Sequence, residues 1–419
     1  MQRLLMSLAV ALFVWSLGIA QGDAATNWPQ FHMDVQRSGF NPLETTLNPA
    51  NVTRLRNRWV GLMGDFVDFS SPAVANGIVY IGSIDGKLYA FNASGCPGGR
   101  CLALWTGDTG GTIVSSPAVM NGLVYIGSQT KGLHVFSAAG CGRPTCSPLW
   151  IGTGGSFLET GPVVSNGQVF AGSFDHKLYA FNAAGCGHPT CSPIWIGNTG
   201  NHITSSPAVA NGVVYVGSND GKLYAFDAAG CGHAVCAPLW TAQVGRSIAE
   251  SSPAIANGVL YIGSFDRNLY AFRAAGCGGP TCTPLWIGQT GNFIGSSPAV
   301  GQGFVVIGSG DGLLNAFHAA GCGHPVCQPI WKGFSNMSAA VLSSPAIANG
   351  VVYVGKNTAE VLAYRLTGCG HFGCQPLFDA FTQNPIVSSS PAVVNGAVYI
   401  GSGDQFDGQH PGRLYVYQL

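Results

Sequence analysis

The phrase Ser-Ser-Pro-Ala-Val-Ala-Asn-Gly recurs eight times along the chain with small changes. Its prolines are Pro72, Pro117, Pro162, Pro207, Pro253, Pro298, Pro345 and Pro391, so the gaps are 45, 45, 45, 46, 45, 47 and 46 residues. A period this constant restricts the fold to a solenoid, a propeller or another array. Each unit is one supersecondary element that buries its apolar face only against its neighbours.

The content of the unit decides among these. In the fourth copy, Thr204 to Val209 is a short β-prone run, and Asn211-Gly212 is a hairpin turn whose residues tolerate positive φ. Val213 to Val216 is a continuous apolar strand, Asp220-Gly221 a second turn, and Lys222 to Phe226 a third strand. A glycine-rich loop with two cysteines follows, and Pro238-Leu239-Trp240 opens a fourth strand. No 3.6-residue apolar period is visible, which excludes helical repeats. The expected class is all-β: an eight-bladed β-propeller with four antiparallel strands per blade. The last copy stops after its third strand, Arg413 to Tyr417, and the segment around Arg58-Trp59-Val60 has the character to supply the fourth. The two ends of the chain would then share a blade and close the ring, leaving no long open edge. A seven-bladed WD-type ring is the rival. The unit lacks a recurring Trp-Asp, and its tryptophans (Trp105, Trp150, Trp195, Trp240, Trp286 and Trp331, with Phe378 in the seventh copy) follow the cysteine loop instead. A residue repeated at one depth reads as a blade-to-blade packing anchor.

The string Ser205 to Ala228 resembles a PQQ-type β-propeller repeat, and the opening Trp28, Asp34 and Arg37-Ser38-Gly39 is similar to the lead-in of such propellers. The resemblance runs from about Trp28 to the C-terminus and implies an eight-bladed ring. It does not by itself imply the quinone, because many such propellers bind none, among them a scaffold lipoprotein of the outer-membrane β-barrel assembly machinery. The sequence departs from the usual repeat at one place. The customary Thr-Gly turn is replaced by Gly-Cys-x4-Cys-x-Pro-Leu/Ile-Trp, as in Cys186 to Trp195. The expected organisation is a signal peptide over 1–24, a lead-in over 25–57 and the propeller over 58–419.

The cysteines fall in pairs of constant spacing: Cys96/Cys101, Cys141/Cys146, Cys186/Cys191, Cys231/Cys236, Cys277/Cys282, Cys322/Cys327 and Cys369/Cys374. Met1-Gln2-Arg3, the uncharged apolar run from Leu4 to Ile19 and the small residues after it read as a secretory signal. In an exported protein, seven copies of one local spacing read as seven disulfide staples. Metal binding is the alternative, since His188, His233, His324 and His371 sit inside four of the loops. Zinc usually takes four ligands, and three copies lack the histidine. No later stretch is long and apolar enough to span a membrane once the signal is removed. The expected location is periplasmic or extracellular.

Composition narrows the function. Lys plus Arg is 18 and Asp plus Glu is 18, so no basic field exists to hold nucleic acid. Charged residues make up only 9% of the chain. A quinone-dependent oxidoreductase needs basic residues around a multiply anionic cofactor and oxygen ligands for Ca²⁺. Enzymes of that group also carry two adjacent cysteines, and this sequence has no Cys-Cys dipeptide. No cofactor is therefore expected, with PQQ and Ca²⁺ as the alternative. Residues that break the repeat near the axis are the candidates for a ligand. The column three before the motif proline holds Phe69, Val114, Glu159, Thr204, Glu250, Gly295, Leu342 and Ser388. Glu159 and Glu250, with Asp68 and His202 in neighbouring columns, are the funnel candidates. The recurring Asp85, Asp175, Asp220, Asp266, Asp311 and Asp404 read as turn residues. The tract Gln405 to Gly412 is an insertion unique to the eighth copy. The leading expectation is an exported, non-enzymatic scaffold that binds a protein or glycan partner.

Overall fold

The computed structural model describes residues 27–130, 132–154, 158–335, 339–403 and 411–419. The expected signal peptide, Asp404 and most of the insertion at 405–412 lie outside the described residues. Among those described, the strands form eight sheets arranged in a ring. The innermost strands, from Ala73–Ala75 in the first blade to Ala392–Val394 in the eighth, each contact the next, and the eighth contacts the first. The fourth blade is representative: Ala208–Ala210, Val213–Gly217, Lys222–Asp227 and Trp240–Gln243 pair antiparallel in that order. Its Asn-Gly turn has φ of 49° at Asn211 and 78° at Gly212, the pair of left-handed residues that a tight I′ hairpin requires.

The eighth blade closes as expected. Arg56–Leu62 pairs antiparallel with Arg413–Gln418, and these take the fourth and third places of one sheet. A β-bulge between Asn57 and Trp59 shifts the register, and Trp59 is buried at the depth of the other tryptophans.

The four-strand blade is incomplete as a description. In seven blades the second half of a cysteine loop adds a short parallel edge to the outer strand of the preceding blade. Thr145–Cys146 lies on Trp105–Asp108, and Arg100–Cys101 lies on Arg56–Leu62. In the fourth blade the same contact is a single bridge between Thr241 and Thr281. The loops therefore fasten blade to blade.

All seven expected pairs form disulfides: Cys96–Cys101, Cys141–Cys146, Cys186–Cys191, Cys231–Cys236, Cys277–Cys282, Cys322–Cys327 and Cys369–Cys374, with Cα–Cα distances of 5.5–5.7 Å. No free cysteine remains among the described residues. Sulfurs bonded to each other are not thiolate ligands. The two halves of each pair lie in different surroundings. The first cysteine is half-buried at Cys96 and exposed in the other six pairs. The second (Cys101, Cys146, Cys191, Cys236, Cys282, Cys327 or Cys374) is only 2–5% exposed. The physical reason is the seating on the blade before. Cys236 packs into the apolar core around Trp195, Cys282 into that around Trp240, Cys327 with Trp286 and Cys374 with Trp331. A disulfide sulfur is apolar enough to join such a core. Each bridge thus ties an exposed turn to the interface between two blades.

The tryptophans are the anchors that their recurrence implies. A Cβ on Gly140, before the second cysteine pair, would sit 2.7 Å from Cδ1 of Trp105 in the preceding blade. Gly95 meets Trp59 in the same way, and Gly368 meets Trp331. The glycine lets the loop lie flat on the indole.

Candidate functional site

Two serines of the repeated phrase build the wall of the axis. The first accepts a hydrogen bond from a backbone N–H of its own blade, as Ser70 Oγ does from Gly82 (2.8 Å). The second reaches the neighbouring blade: Ser71 N–H donates to Ser116 Oγ, Ser206 to Ser252, Ser252 to Ser297, Ser297 to Ser344, Ser344 to Ser390, and Ser390 to Ser71, all at 2.9 Å. Gly161 stands where the third blade would have its second serine, and there the circle lacks a hydroxyl.

The lead-in compensates at that gap. It runs across the inner ends of the blades, accepting N–H donations from Val74, Val119, Val209, Ile255, Val300 and Ile347 in succession. At the third blade its Arg37 side chain takes over. Fully buried, it donates to the carbonyls of Gly161, Pro162, Pro207 and Phe31 at 2.6–2.9 Å. Its guanidinium lies 5.6 Å from the Phe31 ring centroid. Burial pushes its pKa down to about 9, opposed by the charge of Asp34. The lead-in is thus a stopper on the axis rather than a preamble to the ring.

Against this stopper lies a cavity of about 160 Å³. Phe31 closes its inner end, and the repeat-breaking column from Phe69 to Ser388 lines its wall with Phe174. Glu159 and Glu250 both face it. Asp68, the residue before Phe69, has one carboxylate oxygen buried and, among the described residues, without a hydrogen-bond partner. The three acids form one electrostatic group. Burial first, then Asp68 and Glu159, raise the pKa of Glu250 to about 7. Burial first, then Glu159, raise that of Asp68 to about 6. Glu159 is also raised by burial, against the pull of a 2.8 Å hydrogen bond from Gln129 and of His202 nearby. His202, in the link to the fourth blade, is held by the second turn of the third: Nδ1 meets the Phe174 carbonyl, and its ring lies 4.7 Å from Phe174 and 4.9 Å from His176. Glu250 sits at φ 69°, and the N–H of Ser251 bonds across it to the carbonyl of Ala249 (2.8 Å). A bulky residue at positive φ carries local strain, of order 1–3 kcal/mol.

The structure brings the four funnel candidates into one neighbourhood, but among the described residues no three His, Cys, Asp or Glu side chains converge as a metal site would require. Among the described residues no Lys or Arg lines the cavity. The turn aspartates do their expected work, as when Asp220 Oδ1 accepts from Lys222 N–H (3.0 Å), and they also accept the hydroxyls of Tyr89, Tyr179 and Tyr224 at 2.5 Å. Sequence reasoning passed over Gln129 and the side chain of Arg37. Gln129 was visible just ahead of a break in the second turn, where Thr130-Lys131 replaces the usual Asp-Gly. Arg37 offered only its place in the lead-in.

Comparison with known proteins fits this geometry. The profile of the family described as outer membrane protein assembly factor BamB matches residues 153–235. No match is found among curated protein sequences. Among solved structures, BamB from Moraxella catarrhalis is similar, with a TM-score of 0.66 and 18% identity over 87% of this chain and 98% of its own. Quinohemoprotein alcohol dehydrogenase from Comamonas testosteroni gives 0.71 and 14% over 94% and 80%. The computationally designed Ika8 protein gives 0.65 and 14% over 87% and 100%. At such identities the likeness establishes the propeller and nothing finer. That an assembly factor, an oxidoreductase and a designed ring share it leaves function to the site.

Proposed function

We propose that this chain, an eight-bladed propeller of PQQ-like repeats, is an exported binding scaffold without catalysis of its own, and that its partner is a protein. The observation that carries the reading is at the perimeter. Each of six blades exposes an aliphatic residue just before its buried tryptophan: Leu104, Leu149, Ile194, Leu239, Leu285 and Ile330. Repeated exposed apolar positions on a rigid ring form a surface for association.

The axial cavity supports the same reading. A multiply anionic quinone does not fit a pocket lined by two glutamates, with Asp68 adding to their field, and, among the described residues, by no basic residue. The lead-in also occupies the inner end of the channel. The fourteen cysteines are all spent on the perimeter staples, which suit an oxidising compartment. Among the described residues no helix is long and apolar enough to cross a membrane.

The test is direct. Purified protein incubated with PQQ and Ca²⁺ should retain no quinone absorbance after desalting and show no dye-linked alcohol or sugar oxidation. Saturable quinone binding with calcium-dependent oxidation, lost in Glu159→Gln/Glu250→Gln, would overturn the scaffold reading.

A further inference from the structure

The fasteners leave one place unserved. A cysteine loop lies between the third and fourth strands of a blade and covers the outer edge of the blade before it. In the eighth blade those two strands are Arg413–Gln418 and Arg56–Leu62, which no loop joins. The edge that such a loop would cover belongs to the seventh blade. Its outer strand, Phe378–Phe381, pairs with Glu360–Arg365 on one side and, among the described residues, with nothing on the other. Every other blade is covered there.

The hydrogen-bond phase shows what is left open. The N–H of Thr382 bonds to the carbonyl of Ala359, so Phe378 and Ala380 face inward, and the amides of Asp379 and Phe381 point out. The corresponding amides elsewhere are taken. Thr106 donates to the Pro144 carbonyl (2.8 Å), Ile151 to Pro189 (2.9 Å) and Thr153 to Cys191 (2.8 Å). At the open edge Asp379 is exposed and Phe381 is 60% exposed. An unpaired edge beside an exposed aromatic is a template for another strand.

We infer that the outer edge of the seventh blade, Phe378–Phe381, is a β-augmentation site that takes an extended segment of a partner polypeptide, parallel to the edge, with a basic residue opposite Asp379. This rests on the scaffold reading above and adds where and how the partner is held. The molecule itself supplies the template. Seven short segments already occupy the equivalent edges, all running parallel. Thr190 stands opposite Ile151 in one such cap, and Ile151 corresponds to Asp379. The exposed carboxylate at that place selects a cation in the incoming strand. Main-chain hydrogen bonds hold the segment, and the residue opposite Asp379 and the contact with Phe381 give selectivity.

The probe is a blocked peptide copying residues 187–192 with Thr190→Lys and Cys191→Val, added at millimolar concentration to the full chain and read by amide hydrogen exchange. In the free protein the Asp379 and Phe381 amides should exchange at least tenfold faster than those of Thr106 and Ile151. The peptide should slow both at least tenfold. Asp379→Pro removes an outward-facing donor that the blade does not use, so it should abolish this protection. Asp379→Asn keeps the donor and should weaken binding several-fold. N-methylation of the peptide valine, which leaves the protein untouched, should also abolish it. Slow exchange in the free protein, binding retained by Asp379→Pro or by the N-methyl peptide, protection at another blade, or no saturable binding would each overturn the edge and leave the scaffold reading standing. Dimerisation that protects the same amides without peptide would overturn it in favour of a second copy of this chain. Quinone-dependent turnover would instead defeat the scaffold reading.

Discussion

At the scale of single residues, the most consequential side chain is Arg37. It supplies donors to four backbone carbonyls that have no other use for their lone pairs at the axis. Arg37→Met keeps the apolar stem and removes every donor, and should cost about 3–5 kcal/mol, as when one partner of a buried charged network is deleted. The denaturant midpoint reads the loss, and an unchanged midpoint would mean that water replaces the guanidinium freely. The funnel acids act in the opposite sense. Asp68 and Glu250 have folded pKa values of about 6 and about 7, above ordinary carboxylates. Between about pH 4 and pH 7 the folded chain therefore holds protons that the unfolded chain has released, and stability must fall as pH rises through that window. Glu250→Gln should flatten the decline and raise stability at pH 8 by on the order of 1–2 kcal/mol. A steeper decline, or none in the parent protein, would show that the funnel acids are solvated and uncoupled.

At the scale of elements, the cysteine loop does two jobs. It constrains its own turn, and it lays a strand on the blade before it. Cys186→Ser/Cys191→Ser should cost about 2 kcal/mol by the loop-entropy estimate for a six-residue ring. The effect should also appear as faster exchange of the Ile151 amide, which bonds to Pro189 within that loop. Gly140→Ala separates the second job from the first. The added methyl meets the Trp105 indole at 2.7 Å, at φ 78°, while the disulfide is untouched. It should cost about 1–3 kcal/mol through overpacking, and equal thermal stability of variant and parent would show that the loop is not seated on the tryptophan. These contacts also mark what the sequence could convey. The local turns, Asn211-Gly212 among them, were legible because their backbone geometry admits few residues. The repeat-breaking column was legible because a carboxylate among Val, Leu and Gly is visible without a structure. The pairing of the cysteines was legible from their spacing, but the burial of Cys236, Cys282, Cys327 and Cys374 between blades was not. Nor was the parallel seating of Cys191 beside Gly152. It joins residues 39 apart through main-chain bonds that leave no mark on side-chain type. The path of the lead-in is hidden for the same reason, since six of its contacts are donations to its backbone carbonyls.

For the whole molecule, closure decides whether eight similar sheets behave as one body. In a ring, each blade buries a face against two neighbours, and the loss of one interface turns a closed array into an open one whose terminal faces meet water. Two segments share the task here. Arg56–Leu62 completes the eighth blade at its perimeter, placing Trp59 under Gly95 of the first. The lead-in before it ties the inner ends together across the axis, from Trp28 on Val74 to Asn41 on the Val393 carbonyl. Deleting residues 55–62 removes both the fourth strand and that tryptophan, so the first and eighth blades lose their contact at the perimeter while the axis stays tied. The expected outcome is a fall in Tm on the order of 10 °C or more, since even one lost kcal/mol shifts a large domain by about 2–4 °C. The transition should also lose its single-step character, with the first and eighth blades melting ahead of the middle ones. Calorimetry and residue-resolved exchange read the two effects separately. A lower but still single transition would mean that the axial lead-in alone makes the ring cooperative, and unchanged stability would mean that Arg56–Leu62 does not close it.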